Sequence, residues 1–448
     1  MNRTTRPDSL WRIADFRTLF TATALAQLGT NVGYVTVPLI AVSALDAGPG
    51  QVGLVATLGT LAFLLIGLPA GAWVDRMRHR RVLITADLVK AALYASVPLA
   101  WWLDVLTLWQ LCAVALLTGC ATVFFDIGSQ SVLPRLVGRA QLVDANAAVV
   151  GLMAVGNVAG RGAGGVLVQL LTAPLAIVVP ALSHLGSALR LTALRRTAAP
   201  EAPEAPEATE PSTGPRLTSA PRLRAQIAEG VRHVLGNPEL RALALTATLN
   251  NLGSQLANTL LPVLFVRELH LPARALGLFW AAGGVGILLG SRCARPVAAR
   301  FGHGRTLGLA GLCTAPAGLL VPLIGDGPWL FVAGAGWLVV SLKTGMDNVL
   351  GVSLRQRMTP AALLGRMNAT FRFLLTGALA IGSALSGLLG EALGLRPTLW
   401  LGGAVLATAF LPVFLSPVRT AAGCPVSRTR APTATPAPAP YPAPHRNA

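Results

Sequence analysis

Residues 71–81 read GAWVDRMRHRR and separate two apolar runs, at 50–74 and 82–103. The stretch holds four arginines and an aspartate, whereas each flanking run is long enough, at about 20 residues or more, for a helix to cross the hydrocarbon core of a bilayer. A charged loop between two such runs is typical of consecutive membrane helices. The stretch therefore predicts a helical hairpin that crosses a membrane and returns.

The composition of the whole chain also indicates a membrane protein. Hydrophobic residues make up 53% of the 448 residues, charged residues only 12%, and the mean hydropathy is +0.61. A soluble fold needs about 25% charged residues to cover its surface, so a soluble enzyme is excluded. The formal net charge is +18, but no basic stripe with interleaved aromatic residues is present, so no nucleic-acid partner is expected. The five cysteines are scattered without a CxxC pair, and neither a metal site nor a cofactor is expected.

Apolar runs between charges and turn signals predict an all-α membrane protein with twelve transmembrane helices around a central cavity. The helices form two groups of six that are separated by a polar stretch. They are expected near residues 16–43, 50–74, 82–103, 107–129, 142–170, 174–194, 240–266, 275–297, 306–324, 328–352, 367–391 and 397–418.

The basic residues predict the orientation. With the N-terminus inside, 29 of the 36 Lys and Arg residues lie in or beside the cytoplasmic segments, and only Arg267, Arg274 and Arg396 lie in the outer loops. Because cytoplasmic loops carry an excess of Lys and Arg, both termini are expected in the cytoplasm.

A polar segment divides the two halves. Residues 197–222 are rich in Pro, Ala and Glu, a composition that cannot bury a core and is typical of a flexible or polyproline-like linker. The end of the chain is similarly low in complexity. The expected organisation is a cytoplasmic N-terminus, a six-helix bundle, a cytoplasmic linker, a second six-helix bundle and a disordered cytoplasmic tail, at 1–15, 16–194, 195–239, 240–418 and 419–448.

The two halves repeat each other in sequence. A shift of 224 residues superposes Leu28–Gly29 on Leu252–Gly253 and Gly53–Leu54 on Gly277–Leu278, and a shift of 222 superposes Asn146 on Asn368. The order of such matches indicates a parallel repeat. That layout is typical of transporters whose halves rock around a site at the middle of the membrane.

With this layout in hand, the stretch at 71–81 resembles the loop signature of the major facilitator superfamily. The pattern is a glycine, three residues, an Asp-Arg pair and a basic cluster, and with the six-plus-six layout the resemblance covers roughly residues 12–418. The segments DFRTLF, LTLWQL, NPELRAL and LLGRMNA are similar to the bacterial drug- and siderophore-exporter branch. The resemblance implies a monomer that transports a small molecule.

The resemblance further implies a gating role for the loop. Asp75 would hold the cytoplasmic ends of the two halves together in the outward-facing state; the other residues of the signature are Gly71, Arg76, Arg80 and Arg81. A carboxylate at this place can cap a helix or pair with an arginine. The alternative is a charge cluster that only sets topology. We call this contact of Asp75 the latch. The second half has Ala299 where the first has Asp75, so the latch would be asymmetric.

Three charged side chains inside the predicted spans are candidates for mechanism. Asp126 and Asp347 are candidates for proton coupling. A carboxylate inside a membrane costs free energy, so such residues are rare and usually have a function. Asp126 could instead pair with Arg76 or Arg80, and Asp347 with Lys343 at i−4. Asp87 is interpreted as a local partner of Lys90, and His184 stands alone on an apolar span.

Arg161 is the third candidate. It lies in GRGAGG, residues 160–165, which resembles the antiporter signature Gly-Pro-x-x-Gly-Gly with arginine in place of proline. Small residues at this spacing let helices approach closely. Arg161 itself either pairs with a substrate or an acid, or serves as a structural ion pair or reaches the membrane surface.

Uncharged polar residues form two matching stripes. Each set has the spacing i, i+4, i+7 of one helical face, and the second set is the first shifted by 224. Such a stripe is costly against lipid, so it faces either a water-filled cavity or another helix. In the family the first and seventh helices line the central cavity, and Asn157 could join this surface. The stripes are Gln27, Asn31 and Tyr34, and Asn251, Gln255 and Asn258.

The sequence therefore predicts a secondary transporter, not an enzyme, in a bacterial plasma membrane. It would export a small amphipathic or organic compound (a drug, siderophore or secondary metabolite) by alternating access, with proton antiport as the drive. The alternatives are a proton-coupled importer of a polar metabolite and a membrane scaffold or sensor that does not transport. The expected partners are the small-molecule substrate, protons and the lipid bilayer.

Overall fold

The computed structural model describes residues 10–137, 141–194, 223–360 and 363–419, and these residues form helices without strands. A short π-helical segment, Leu264–Glu268, extends the ninth helix. The α-helices, numbered α1 to α15 in chain order, span Ala14–Ser43, Pro49–Arg76, His79–Trp102, Leu108–Leu136, Leu142–Leu171, Ala173–Ala176, Val178–Thr192, Leu223–Gly236, Pro238–Val263, Ala273–Phe301, His303–Leu320, Pro328–Arg357, Leu364–Ala392, Leu395–Thr408 and Leu411–Phe414.

The helices confirm the all-α membrane fold predicted from the sequence. Every predicted span coincides with a helix, α6 and α7 together forming the sixth and α14 and α15 the twelfth. Among the described residues, eleven helices are long and apolar enough to cross a membrane, and α9 is not one of them. The helix α9 carries the polar stripe Asn251, Gln255 and Asn258 together with Asn250, and these side chains lower its hydropathy.

Consecutive spans run in opposite directions, so the loops lie at two ends of the molecule. We call these the Asp46 end, which has residues 44–48, 103–107, 269–272 and 393–394, and the Arg76 end, which has residues 77–78, 302 and 358–360. Two very short turns depend on glycine: Gly302 alone connects α10 to α11, and Gly394 follows Leu393 between α13 and α14, with φ of 85° and 93°. Only glycine adopts this left-handed conformation without strain.

The two halves meet at the Asp46 end in two helix crossings. Helix α2 crosses α13 with Gly53 against Gly387, and α5 crosses α10 with Gly165 against Gly277. A Cβ atom on Gly53 would lie 2.4 Å from the Cα of Gly387, and one on Gly165 would lie 2.8 Å from the Cα of Gly277. Small residues let helix backbones approach this closely inside a membrane.

Polar contacts between the halves lie at the same end. The Arg267 Nη2 atom is 2.5 Å from Asp46 Oδ1, and the Gly50 backbone N–H donates to Glu391 Oε2 over 3.1 Å. Both contacts are exposed, and an exposed ion pair contributes only about 0–1 kcal/mol. The glycine crossings therefore hold this end closed, and the polar contacts add little.

The halves separate toward the Arg76 end. A Cβ atom on Gly67 or Gly71 of α2, or on Gly365 of α13, would meet no atom within 4 Å, although the same two helices touch at Gly53 and Gly387. The space between the halves is thus closed at the Asp46 end and opens toward the Arg76 end.

The last part of the predicted linker is helical. Helix α8 packs against α13, where a Cβ atom on Gly230 would lie 2.9 Å from the carbonyl oxygen of Arg366. The Glu229 carboxylate pairs with the guanidinium of Arg366. This helix attaches the end of the linker to the second half. The linker residues 197–222 and the tail beyond 419 lie outside the described residues.

We expect the substitution Gly53→Ala to open the Asp46 end. The atoms that a Cβ would meet belong to the backbone of α13, so the helices must move apart. The measurement is the distance distribution between spin labels at the exposed residues Ala44 and Leu393, one in each half, in a cysteine-free background.

The control for this experiment is Gly67→Ala in the same helix. Both substitutions change the helix propensity equally, by about 1 kcal/mol, but a Cβ on Gly67 meets nothing. We expect longer distances for Gly53→Ala alone. Identical distributions in the two variants would show that the crossing does not control the closure.

Candidate functional site

A cavity of about 450 Å³ lies between the two halves. Its size falls in the range of sites that bind drug-sized molecules, about 300–1,000 Å³. Its walls come from α1, α2, α3, α4 and α5 of the first half and from α9 and α10 of the second. Six of the seven predicted cavity residues line it: Gln27, Asn31, Tyr34, Asn157, Gln255 and Asn258.

The wall from the first half depends on close packing of α1 against α5. A Cβ atom on Gly160 would lie 2.6 Å from the Cβ of Asn31, and one on Gly156 would lie 3.3 Å from the Cβ of Gln27. The Asn31 Nδ2 donates to the backbone carbonyl of Gln27 over 2.9 Å. This intrahelical bond fixes the Asn31 amide at the wall.

The wall from the second half combines the two roles that the sequence left open. Asn258 Oδ1 accepts a hydrogen bond of 2.8 Å from Trp280 Nε1 of α10, and Gln255 Nε2 donates over 2.8 Å to Ser383 Oγ of α13. These amides line the cavity and also join helices. Because each bond uses one of several donors and acceptors on an amide, capacity remains for a ligand.

Asn251 is the predicted cavity residue that lies elsewhere. It lines a smaller cavity of about 140 Å³ within the second half, together with Asp347 and Arg355. Its Nδ2 donates to the backbone carbonyl of Leu375 on α13 over 3.4 Å. Helix α13 thus covers Asn251 at a depth where its counterpart in the first half, Gln27, faces the central cavity.

Arg161 lies in the wall of the central cavity. Its Cζ is 4.3 Å from the centroid of the Tyr34 ring, and the Tyr34 ring in turn meets the edge of Trp280 at 5.1 Å. The Nε of Arg161 and the Oδ1 of Asn157, one turn earlier, are buried without a hydrogen-bond partner among the described residues. No carboxylate of the described residues pairs with Arg161.

Asp126 does not pair with the loop arginines. The positive charges that act on it are those of Lys90 in its own half and Arg372 in the other half. Arg80 instead donates to the backbone carbonyls of Leu191, over 3.2 Å, and Thr192, where it caps α7. Positive charges of both halves therefore act on the Asp126 carboxylate.

Asp347 has the partner that the spacing indicated. Its Oδ2 is 2.5 Å from the Nζ of Lys343, one turn earlier in α12, and the Lys343 side chain is 7% exposed. The pair faces the smaller cavity of the second half and is separate from the central cavity.

The loop residues occupy two helices at the Arg76 end. Gly71 and Arg76 lie in α2, Arg80 and Arg81 lie at the start of α3, and Arg76 and Arg81 are exposed. The side chain of Asp75 lies outside the described part of the structure.

Comparison with known proteins identifies the family. The profile of the Major Facilitator Superfamily matches residues 19–346 and 243–443, which together cover most of the chain. The chain belongs to this superfamily. The superfamily consists of transporters, so the chain is a membrane transporter and not an enzyme.

Relatives in the superfamily place the chain near one branch of it. It is 29% identical over 414 residues to the multidrug efflux pump Tap of Mycolicibacterium fortuitum, covering 89% of this chain and 95% of that protein. It is 27% identical over 390 residues to the enterobactin exporter EntS of Citrobacter koseri, covering 84% and 85%. The chain thus resembles the drug- and siderophore-exporter branch.

A solved structure of the superfamily agrees in fold. A bacterial homologue of the iron transporter ferroportin, in an inward-facing state, superposes with a TM-score of 0.68 at 19% sequence identity. The match covers 91% of this chain and 99% of that one. At this identity the match shows the fold alone.

One buried pair of this superfamily member differs from the sequence-based interpretation. The charge of Asp87 acts on Lys90, as its spacing indicated, but Asp87 makes its hydrogen bond elsewhere: its Oδ1 is 2.9 Å from Nδ1 of His184 on α7, and both side chains are fully buried. The His184 ring stacks on Tyr94, a cavity residue, at 5.8 Å between centroids. The sequence did not indicate the His184 partner because it is 97 residues from Asp87 and only the packing of α3 on α7 joins the two.

We expect Asp87→Ala to destabilise the protein by about 1–3 kcal/mol, because it leaves a buried ring nitrogen of His184 without its partner. The measurement is thermal unfolding in detergent. The matched control is Asp326→Ala, which removes an exposed carboxylate from the loop after α11.

A double variant tests whether the cost comes from the pair. Asp87→Leu combined with His184→Phe replaces both partners by apolar groups, and we expect it to cost less than the sum of the two single changes. Additive costs would contradict a coupled pair.

Proposed function

We propose that this transporter exports a small amphipathic or organic compound, such as a drug, a siderophore or a secondary metabolite, across the bacterial plasma membrane by alternating access, in exchange for protons. The observation that carries the proposal is the central cavity, closed at the Asp46 end and open toward the Arg76 end, with amide and aromatic side chains on its walls. The similarity to Tap and EntS, whose names describe efflux and export, supports the outward direction.

The direction also rests on the basic residues. The Arg76 end has the loops that are rich in arginine, and the positive-inside rule assigns that end to the cytoplasm. The cavity in this structure then opens inward, and a substrate enters it from the cytoplasm. Closure of the Arg76 end and separation of the glycine crossings would release the substrate outside.

The polar stripes supply the binding surface in this proposal. Gln27, Asn31, Tyr34, Asn157, Gln255 and Asn258 present amides and a phenol at the middle of the membrane. Trp280 and Phe63 add apolar area. A large surface with few charges suits amphipathic compounds, since it supplies hydrogen bonds without dictating one arrangement of polar groups. Asn251 would not contribute to this surface, because it lines the smaller cavity.

The loop of residues 71–81 would act as the latch in the opposite state. In this state the helices near it are apart, since Gly71 and Gly365 have no neighbouring atoms where a Cβ would stand. The latch would form when the Arg76 end closes, with Asp75 as its carboxylate and Arg76, Arg80 and Arg81 as its basic cluster. Because Arg80 already caps α7, the exposed Arg76 and Arg81 are the members of the cluster that would make the contact.

Asp126 is the first candidate for the proton site. The positive charges of Lys90 in the first half and Arg372 in the second both act on it, and the Cζ of Arg372 is 5.7 Å from the ring centroid of Phe63 in the first half. Rocking of the halves changes the distance from Arg372 to Asp126, and with it the free energy of the charged carboxylate. Asp347 is the second candidate. Its salt bridge with Lys343 lies within one helix and does not change when the halves move as rigid bodies.

We expect Asp126→Asn to abolish substrate-induced proton release from acidified inside-out vesicles, and Asp347→Asn to leave most of it. The physical reason is that charges of both halves act on Asp126, whereas Asp347 is paired within its own helix. The measurement is the dissipation of the pH gradient, followed by a fluorescent amine, as amphipathic compounds are added one by one. Asp326→Asn, an exposed loop carboxylate, is the control at matched expression.

Other outcomes of these experiments would indicate a different proton site or a different function. If Asp347→Asn alone abolishes proton release, the proton site is in the second half. If both variants equal the wild type, neither carboxylate carries the proton. Uptake of a polar compound into energised right-side-out vesicles would indicate a proton-coupled importer, and no movement of any compound would indicate a scaffold or sensor.

A further inference from the structure

The central cavity has an unbalanced charge. Among the described residues that line it, Arg161 is the only charged side chain, and none of the others is acidic. An arginine inside a membrane costs free energy unless a partner or water compensates its charge. Such residues therefore often mark functional sites. The charge of Arg161 must therefore be compensated by a partner within the protein, by water in the cavity or by a bound ligand.

The protein supplies only part of the compensation. The ring of Tyr34 covers one face of the guanidinium, with 4.3 Å from the Arg161 Cζ to the ring centroid. A cation–π contact uses the face of the group and leaves the N–H donors at its edge. Among the described residues no carboxylate pairs with Arg161, and its Nε has no acceptor.

The same chain shows the alternative arrangement elsewhere. Lys343, also buried within a span, has its carboxylate partner Asp347 one turn away at 2.5 Å. Arg161 has no acid at the corresponding positions of α5, where Asn157 and Gly165 stand. A cation that lines a cavity without an acidic partner among the described residues is the arrangement expected of a ligand-binding group.

We infer that the central cavity binds compounds that have a carboxylate, a sulfonate or a similar oxyanion on an aromatic or apolar body, and that Arg161 binds this oxyanion. The planar guanidinium matches two oxygens of such a group with parallel N–H donors. Tyr34, Trp280 and Phe63 would contact the apolar body. This inference rests on the proposed function and narrows its substrate class.

Cationic compounds fit this wall less well. Like charges at contact distance repel each other in a medium of low polarity, and the face of the Tyr34 ring, which could attract a cation, is already occupied by Arg161. The cavity should thus select anionic over neutral compounds, and neutral over cationic ones, of similar shape.

The test is equilibrium binding of two probes that differ by the oxyanion alone. Anilinonaphthalene sulfonate and phenylnaphthylamine share one ring system, and only the first has a sulfonate. Purified protein in lipid nanodiscs is titrated with each probe, and binding is read from energy transfer from tryptophan, with Trp280 in the cavity wall as the nearest donor. Arg161→Gln should weaken the sulfonate by about tenfold or more and leave the neutral probe within about twofold.

The matched control is Arg355→Gln. Arg355 has the same local chemistry, with its Cζ 4.6 Å from the ring centroid of Phe371 and an Nε without an acceptor, but it lines the smaller cavity. It should leave both affinities unchanged. Should Arg161→Gln fail to fold, Arg161→Lys takes its place: it keeps the charge and loses the bidentate geometry, so the sulfonate affinity should fall while the preference over the neutral probe remains.

The outcomes separate this inference from the proposed function. Sulfonate binding that depends on Arg161 upholds the inference even if vesicles show no transport or proton release. Equal affinities of the two probes in the wild type, no binding of either probe, or equal losses for both in Arg161→Gln would overturn it. Export of neutral or cationic compounds that is insensitive to Arg161→Gln would also overturn it and would leave the exporter proposal intact.

Discussion

The closeness of two glycine crossings is the constraint on which the rest of the structure depends. At the Asp46 end, α2 meets α13 and α5 meets α10 with backbone against backbone. The crossings are related by the internal repeat: a shift of 224 takes Gly53 to Gly277, and a shift of 222 takes Gly165 to Gly387. Each crossing therefore joins one half to the other through equivalent positions. A contact without side chains has no long rotamers to reorganise, so it can form and separate as a unit when the halves rock.

The crossings also connect the closure to the binding surface. Arg161 and Gly165 are one turn apart on α5, and a Cβ atom on Gly277 would lie 2.8 Å from the backbone carbonyl of Arg161. The residue whose side chain faces the cavity thus forms part of the closed end through its backbone. A ligand that shifts the Arg161 guanidinium acts on a helix that the closure constrains. In the proposed mechanism, binding and closure would be coupled in this way without any separate signalling element.

Much of the fold could be predicted because it follows from one-dimensional patterns. Apolar runs locate the helices, and the repeat implies two similar halves; the orientation that the basic loops indicate stays a prediction. The helical period also predicted a polar face on α1 and α9. It could not predict depth: Asn251 and Gln255 share a face, but α13 covers Asn251, and only the position of another helix decides this. The partnership of Asp87 with His184 depends on packing between helices far apart in sequence, and no spacing rule contains it.

The sign of the charge in the cavity has energetic consequences for the proposed exchange. A monoanion that leaves the cell and a proton that enters it each move one elementary charge along the interior-negative potential. Each charge is worth about 2.3 kcal/mol per 100 mV. At a potential of about 100 mV the exchange therefore gains about 4.6 kcal/mol, which supports on the order of a 10³-fold concentration ratio before the pH gradient is counted. A monocation exchanged for one proton moves no net charge and gains only from the pH gradient. The oxyanion site proposed at Arg161 would therefore take compounds whose export the membrane potential drives more strongly than the export of monocations.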